Sequence, residues 1–228
     1  MFSRLGKRSR RQWLEEEYTP FGYGQKRQIM MSIARFCQIN RPIGGYYFEF
    51  GCHGANTMRM AWDCFHHLFD WSYVGFDSFE GLPEIQAIDQ MKIWEKGKLK
   101  TTEEEFRRVV TRHGMPDEKL TTVKGFYDQT LTPALRNRFL PGGKVAVAYV
   151  DCDLYASTIP ILEFLKDFLQ TGTVIVFDDW NCFYGDPERG ERRAWREFCQ
   201  RNPHLRFEEF VRTSEGMSFI HLGPPPQP

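Results

Sequence analysis

The chain has no apolar run long enough to cross a bilayer, and no apolar core follows its basic start as a secretory leader would require. It is therefore expected in the cytoplasm. Neither charge is in excess, with 30 Lys and Arg against 30 Asp and Glu, so net charge gives no pull on a polyanionic partner. The six cysteines, Cys37, Cys52, Cys64, Cys152, Cys182 and Cys199, form no C-x-x-C pair, and reduced thiols are expected rather than a disulfide or zinc framework. An Asn/Asp-Pro-Pro-Tyr string and a Pro-Cys nucleophile are both missing, which reads against methylation of a nucleic-acid base. So is the full three-glycine dinucleotide fingerprint, together with an ordered Tyr/Lys or Ser catalytic set. A nicotinamide-dependent oxidoreductase is thus the lesser reading. No linker divides the 228 residues, which suffice for one large α/β domain.

What the sequence does have is organised around Tyr46-Tyr47-Phe48-Glu49-Phe50-Gly51-Cys52-His53-Gly54-Ala55-Asn56-Thr57. An apolar run ends in an acid, a glycine turn follows, and a helical pattern starts at about Ala55. A buried strand entering a glycine turn and a helix is the first half of a nucleotide-binding βα unit. It brings backbone N–H groups and a helix N-terminus to a ligand. Alone, such a turn serves equally to pack a helix on a strand.

Before this stretch, residues 12–40 read as a helical lead-in, with Ile29, Ile33, Phe36 and Cys37 at helical spacing. Arg4, Lys7, Arg8, Arg10 and Arg11 form a basic arm, read as a solvated tail or a contact in a homo-oligomer ahead of a nucleic-acid or membrane arm. Strands are expected at 46–50, 72–77, 120–124, 145–150 and 173–177, and a hairpin at 205–211 and 217–222. The intervening helices carry start signals: Thr102-x-x-Glu105 is a capping box, Thr132-Pro133 a cap with its first-turn proline, and Ser157 the expected cap of the helix after the fourth strand. Residues 58–69 and 189–201 also read as helices. The stretch 79–120 is too long for a simple crossover, so 84–119 is read as a lid-like insertion. The alternation predicts an α/β fold, a doubly wound, mostly parallel seven-stranded sheet closed by an antiparallel C-terminal hairpin. The expected divisions are a lead-in and arm at 1–45, the main domain at 46–223 and a disordered tail at 224–228.

Ligands of such sheets bind outside the carboxyl ends of the strands. Strand two ends in Asp77-Ser78, and Asp77 stands 23 residues beyond Gly54, near the spacing at which an acid grips a ribose. A carboxylate capping its own turn explains Asp77 equally well. Glu49 beside the glycine turn would repel phosphates, which favours S-adenosylmethionine, a ligand with a ribose and a sulfonium but no phosphate. Strands four and five end in Asp151, Asp153, Asp178 and Asp179. These acids cannot all stay ionised without a counter-charge, and an oxygen-only set suits Mg²⁺, Mn²⁺ or Ca²⁺. The alternative is local, with Asp153 and Asp178 capping loops or pairing with arginines such as Arg189. His53 either touches a ligand or hydrogen-bonds within its loop. His66 and His67 read as packing or surface residues.

The strings Phe76-Asp77-Ser78-Phe79-Glu80-Gly81-Leu82-Pro83, Gly125-Phe126-Tyr127-Asp128-Gln129-Thr130-Leu131 and Asp151-Cys152-Asp153-Leu154-Tyr155-Ala156-Ser157-Thr158 resemble consecutive motifs of the macrocin O-methyltransferase family. Phe177-Asp178-Asp179-Trp180, Gly185 and Ala194-Trp195-x-x-Phe198 resemble its next block, so the likeness runs in order from Tyr46 to Phe198. Such enzymes are class I, S-adenosylmethionine-dependent and metal-dependent, and methylate sugar hydroxyls of natural products. The resemblance implies that Glu49 and Gly51, with Thr57 in the same stretch, line the methionine end of the cofactor. It implies that Asp77-Ser78 serves the ribose, that Gly125 and Phe126 flank the adenine, and that Asp151, Asp178 and Asp179 hold magnesium (or manganese). Gly54-Ala55 departs from the family pattern, and 84–119 matches none of its motifs.

The expected chemistry is methyl transfer to an oxygen of a small-molecule acceptor, a sugar or other vicinal diol. The cofactor is already activated, so alignment is the main task. Asp151 is the first choice to take the acceptor proton, with Asp153 the second.

Overall fold

The structure, a computed structural model, describes residues 10–225. Most of the basic arm (Arg4, Lys7 and Arg8) lies outside the described residues, as does the end of the tail beyond Pro225. The lead-in starts with α1 (Arg10–Trp13), passes through a π-helical turn (Leu14–Tyr18) and continues as α2 (Thr19–Ile39), with Pro20 in its first turn. Then follow β1 (Tyr46–Phe50), α3 (Asn56–Phe65), β2 (Ser72–Asp77), α4 (Glu103–Arg112) and β3 (Leu120–Lys124). The second half is α5 (Tyr127–Thr130), α6 (Pro133–Phe139), β4 (Val145–Val150), α7 (Tyr155–Leu165), β5 (Val174–Phe177), α8 (Gly190–Arg201), β6 (Phe207–Arg212) and β7 (Met217–His221).

The seven strands form one sheet in the order β3-β2-β1-β4-β5-β7-β6. The first five pair in parallel, and β7 runs antiparallel to both β5 and β6. This is the doubly wound sheet with a closing hairpin that the alternation predicts. Strand order reverses at β1, which pairs with β2 on one side and β4 on the other. That junction is where such a sheet opens a crevice.

Alternation along β1 sorts the core into two layers. Tyr47 faces the layer of α2, α3 and α4 with Ile33, Phe65 and Phe106. Phe48 and Phe50 face the opposite layer with Phe164, Phe168 and Trp195. Each residue of β4 is fully buried, as a strand covered on both faces must be. Burying one such apolar side chain contributes about 1.5–3 kcal/mol.

The start signals at two helices act as expected. Thr102 accepts the Glu105 N–H at 3.2 Å, and Thr132 accepts that of Leu135 at 3.2 Å. The cap of α7 is different. The helix begins at Tyr155, too early for Ser157, and the Tyr155 and Ala156 N–H groups instead donate to the buried carboxylate of Asp89 at 2.8 and 3.1 Å. A carboxylate at a helix start meets both the orphan donors and the positive end of the dipole. Asp89 reaches there because Arg189 clasps its neighbours, donating to the carbonyls of Ile88 and Gln90. Within the stretch read as an insertion, α4 packs Phe106 and Val110 into the core as a crossover helix, while Glu84, Gln86, Lys96 and Leu99 border the crevice.

Candidate functional site

A cavity of about 660 Å³ opens at the carboxyl ends of β1, β2 and β4. The glycine loop forms one wall. Gly51 has φ +90, and a Cβ there would run into the carbonyl oxygen of Asp151, so only glycine lets the loop pass the end of β4. Ala55 holds φ +60 where α3 begins, so the unusual Gly54-Ala55 places an alanine, not the glycine, in the left-handed region. Thr57, in the first turn of α3, lines the cavity.

Asp77 ties this loop to β2. Its Oδ2 accepts the N–H of Cys52 at 2.7 Å and of His53 at 3.4 Å, and its Oδ1 accepts the N–H of Phe79 at 2.6 Å. It therefore does cap its own turn, and it also borders the cavity. Ser78 closes the same turn, its hydroxyl donating to Gly81 O at 2.7 Å and accepting from the N–H of Glu80. Gly125 and Phe126 follow β3 and line the same cavity, with Gly125 bound through its N–H to Asp77 O at 2.9 Å. His53 Nδ1 lies 2.8 Å from Leu99 O, joining the loop to the 84–99 segment.

Glu49 is 0% exposed, and its charge is not presented to the cavity. Tyr47 donates to its Oε2 at 2.7 Å, while Oε1 has no hydrogen-bond partner among the described residues. Burial pushes the Glu49 carboxyl well above the usual carboxylate range, which favours the neutral acid. Repulsion of phosphates by Glu49 therefore loses its basis, and ligand choice has to rest on the rest of the cavity.

The acids of β4 and β5 converge. Backbone bonds extend the ladder past the strand ends, Asp151 N–H to Phe50 O at 2.8 Å and Asp178 N–H to Val150 O at 2.9 Å. One carboxylate oxygen each from Asp151, Asp178 and Asp179 then lies within 4.8 Å of the others. Asp179 Oδ2 is buried without a hydrogen-bond partner among the described residues, and the buried Glu191 accepts the Asp179 N–H at 3.0 Å. Asp153 turns in beside them at φ +62, lining the cavity. Its carboxyl is pushed up to about 7 by burial, then by the charge of Asp151. Asp151 and Asp179 are likewise raised well above the usual range, first by burial and then by Asp178 and Asp153 respectively. The orphaned Asp179 oxygen and the crowding of three carboxylates would fit the oxygen-ligand preference of a hard divalent cation.

The counter-charge present is a side chain that the sequence pattern did not single out. Lys26, on α2, places Nζ 2.5 Å from Asp178 Oδ2 and 3.6 Å from Asp151 Oδ2. Burial pulls the Lys26 ammonium towards neutrality, but Asp151 and Asp178 outweigh it and raise its pKa, so it stays charged. Arg189, the expected local partner, points instead at the carbonyls beside Asp89 and stacks on Phe183. No helix among the described residues is long and apolar enough to cross a membrane.

Comparison with known proteins adds the following. The profile of the family described as Macrocin-O-methyltransferase (TylF) matches residues 23–204. A demethyldecarbamoylnovobiocin O-methyltransferase of Streptomyces niveus is 31% identical over 178 residues, covering 75% of this chain and 65% of that protein. An 8-demethyl-8-(2,3-dimethoxy-alpha-L-rhamnosyl)-tetracenomycin-C 4'-O-methyltransferase of Streptomyces olivaceus is 36% identical over 110 residues, 46% of this chain and 40% of that one. The chain thus spans less than two thirds of the length of these relatives. Among solved structures, the O-methyltransferase NovP superposes with a TM-score of 0.70 at 21% identity, covering 86% of this chain and 79% of its own. The calicheamicin methyltransferase CalS11 gives 0.69 at 20% identity, covering 94% and 81%. At such identities the structural likeness speaks for the fold.

Proposed function

Since this chain belongs to the macrocin O-methyltransferase family, we propose that it is an S-adenosylmethionine-dependent O-methyltransferase acting on a hydroxyl of a sugar or other vicinal diol in a small natural product. The observation that carries the reading is one cavity lined by the glycine loop and by Asp151, the acid that also converges with Asp178 and Asp179 behind it. The two relatives are named as O-methyltransferases of natural products, one of them acting on a rhamnosyl-bearing compound.

In this reading the glycine loop, Gly51 with Thr57, borders the methionine portion of the cofactor. Asp77 and Ser78 border its ribose, and Gly125 with Phe126 its adenine. Asp77 already receives three backbone N–H groups, so a ribose would share the remaining lone-pair directions of a pre-set carboxylate. Asp151, Asp178 and Asp179 would hold a divalent cation, magnesium or manganese. When bound, S-adenosylmethionine supplies an activated methyl group, and the cation supplies a charge that orients and acidifies an acceptor hydroxyl. Asp151, which lines the cavity beside the loop, would receive the acceptor proton on its carboxylate, with Asp153 the next candidate. Glu84, Gln86 and Leu99 also line the cavity and would border the acceptor.

Calorimetry with S-adenosylhomocysteine, followed by methyl-transfer assays on rhamnosyl- and catechol-bearing acceptors with and without EDTA, tests the reading. Binding of S-adenosylhomocysteine and EDTA-sensitive transfer are expected. Binding of NADH in its place would sink the cofactor assignment, and turnover unchanged by EDTA would remove the cation.

A further inference from the structure

The inference rests on the divalent-cation reading and concerns how that site is loaded. Lys26 comes from a helix outside the sheet, yet its ammonium sits on two of the three converging acids. On Asp178, Oδ1 already accepts the Tyr149 hydroxyl at 2.5 Å, and Oδ2 is the oxygen under Lys26. A cation drawing on Oδ2 would meet that ammonium. A hard divalent ion bonds oxygen at about 2.0–2.6 Å, so an ion on that oxygen would stand within about 5 Å of an ammonium left in place. Two cations so close in a half-buried site repel each other. Lys26 is nevertheless not a fixture of the core, with a side chain 20% exposed at the cavity wall beside Tyr23.

The helix that carries it is built for a local move. The C-terminal half of α2 buries Ile29, Met30, Ile33, Ala34 and Cys37, whereas residues 19–28 are exposed or half-buried. That first half is held by polar contacts at its surface. Gln25 Oε1 accepts from the N–H and hydroxyl of Ser214, and the Tyr23 hydroxyl accepts from Asn56 at 2.9 Å.

We propose that Lys26 is the resident counter-ion of the acid cluster and that a divalent cation enters by exchange with it. Loading the site moves the Lys26 ammonium off Asp178 into the cavity. Lys26 therefore sets the concentration at which the cation binds, and cation binding loosens the cavity-facing turns of α2. Without the cation, the lysine keeps the crowded carboxylates compatible with a folded site.

The test is Mn²⁺ binding to the full chain by calorimetry and electron paramagnetic resonance, for wild type, Lys26→Met and Lys26→Arg. Removing the competing charge is expected to tighten Mn²⁺ binding by about tenfold or more, while Lys26→Arg stays within about threefold of wild type. A measurement on the unaltered protein runs beside it, so that a poorly folding variant leaves the proposal testable. Acetylation of Lys26 by an N-hydroxysuccinimide ester, read by peptide mass spectrometry against the exposed Lys92, should rise several-fold when Mn²⁺ is added. Equal Mn²⁺ affinity in all three proteins with unchanged labelling of Lys26 would overturn the exchange and leave the cation site standing. Absence of Mn²⁺ binding in both wild type and Lys26→Met would overturn the cation reading and the exchange together.

Discussion

At the glycine-loop side of the cavity, Asp77 meets the N–H groups of Cys52, His53 and Phe79. At the other side Asp151 meets Asp178 and Asp179, with Lys26 as the ion-pair partner of Asp151 and Asp178 among the described residues. All four are aspartates at or just past the ends of neighbouring parallel strands. What separates them is the backbone around them. The turn after β2 aims N–H donors at its acid, whereas the ends of β4 and β5 aim acids at each other. The first arrangement stabilises the fold by itself, and the second is costly except where the Lys26 ammonium offsets it. A strand-end acid is thus a joint of the scaffold or a crowded, under-bonded group according to the donors its own turn supplies.

The sharpest way to break this comparison is to remove the crowded acids. An Asp178→Ala/Asp179→Ala variant should lose turnover by on the order of 10³-fold or more while its thermal midpoint holds or rises. A falling midpoint would mean that these acids are structural after all. The converse is expected of Asp77→Ala, which strands buried N–H groups. S-adenosylhomocysteine binding by calorimetry should weaken, and stability should fall by about 1–3 kcal/mol. An unchanged midpoint would erase the distinction between the two ends.

The same contrast shows how far the sequence could be read. The strands and the acids at their ends were legible, because buried runs such as Val145–Val150 and the turn residues behind them are local signals. Lys26 was not. It is one lysine on a helix, 152 positions from Asp178, and periodicity says nothing of what an exposed helix turn will reach. The cap of α7 failed for a similar reason. Ser157 offers the right chemistry two residues too late, while the true cap, Asp89, lies 66 positions upstream of Tyr155 in a segment without periodicity. Glu49 was visible, but its 0% exposure and its bond from the Tyr47 hydroxyl are set by tertiary packing.

Two smaller effects sharpen the point that donors, not residue type, decide an acid's role. Asp89→Ala removes the acceptor for two N–H groups of α7 and should cost about 1–2 kcal/mol. In a chain of this size that is a thermal shift of a few degrees. Limited proteolysis should then open the 84–99 segment first. Ser157→Ala should change stability by less than about 0.5 kcal/mol in the same scan, since the expected cap does not act as one. A larger loss there would reinstate the local signal.

The contact between Gly51 and the Asp151 carbonyl has a consequence for anyone wishing to redesign the molecule. The loop and the strand end touch backbone to backbone, with no side chain between them as an adjustable spacer. Under the proposed reaction, the gap between methyl donor and acceptor would then be a property of the sheet itself. New acceptors of that proposed reaction would have to be accommodated by reshaping the wall at 81–99 and the Tyr23 and Lys26 turns of α2, which line the cavity.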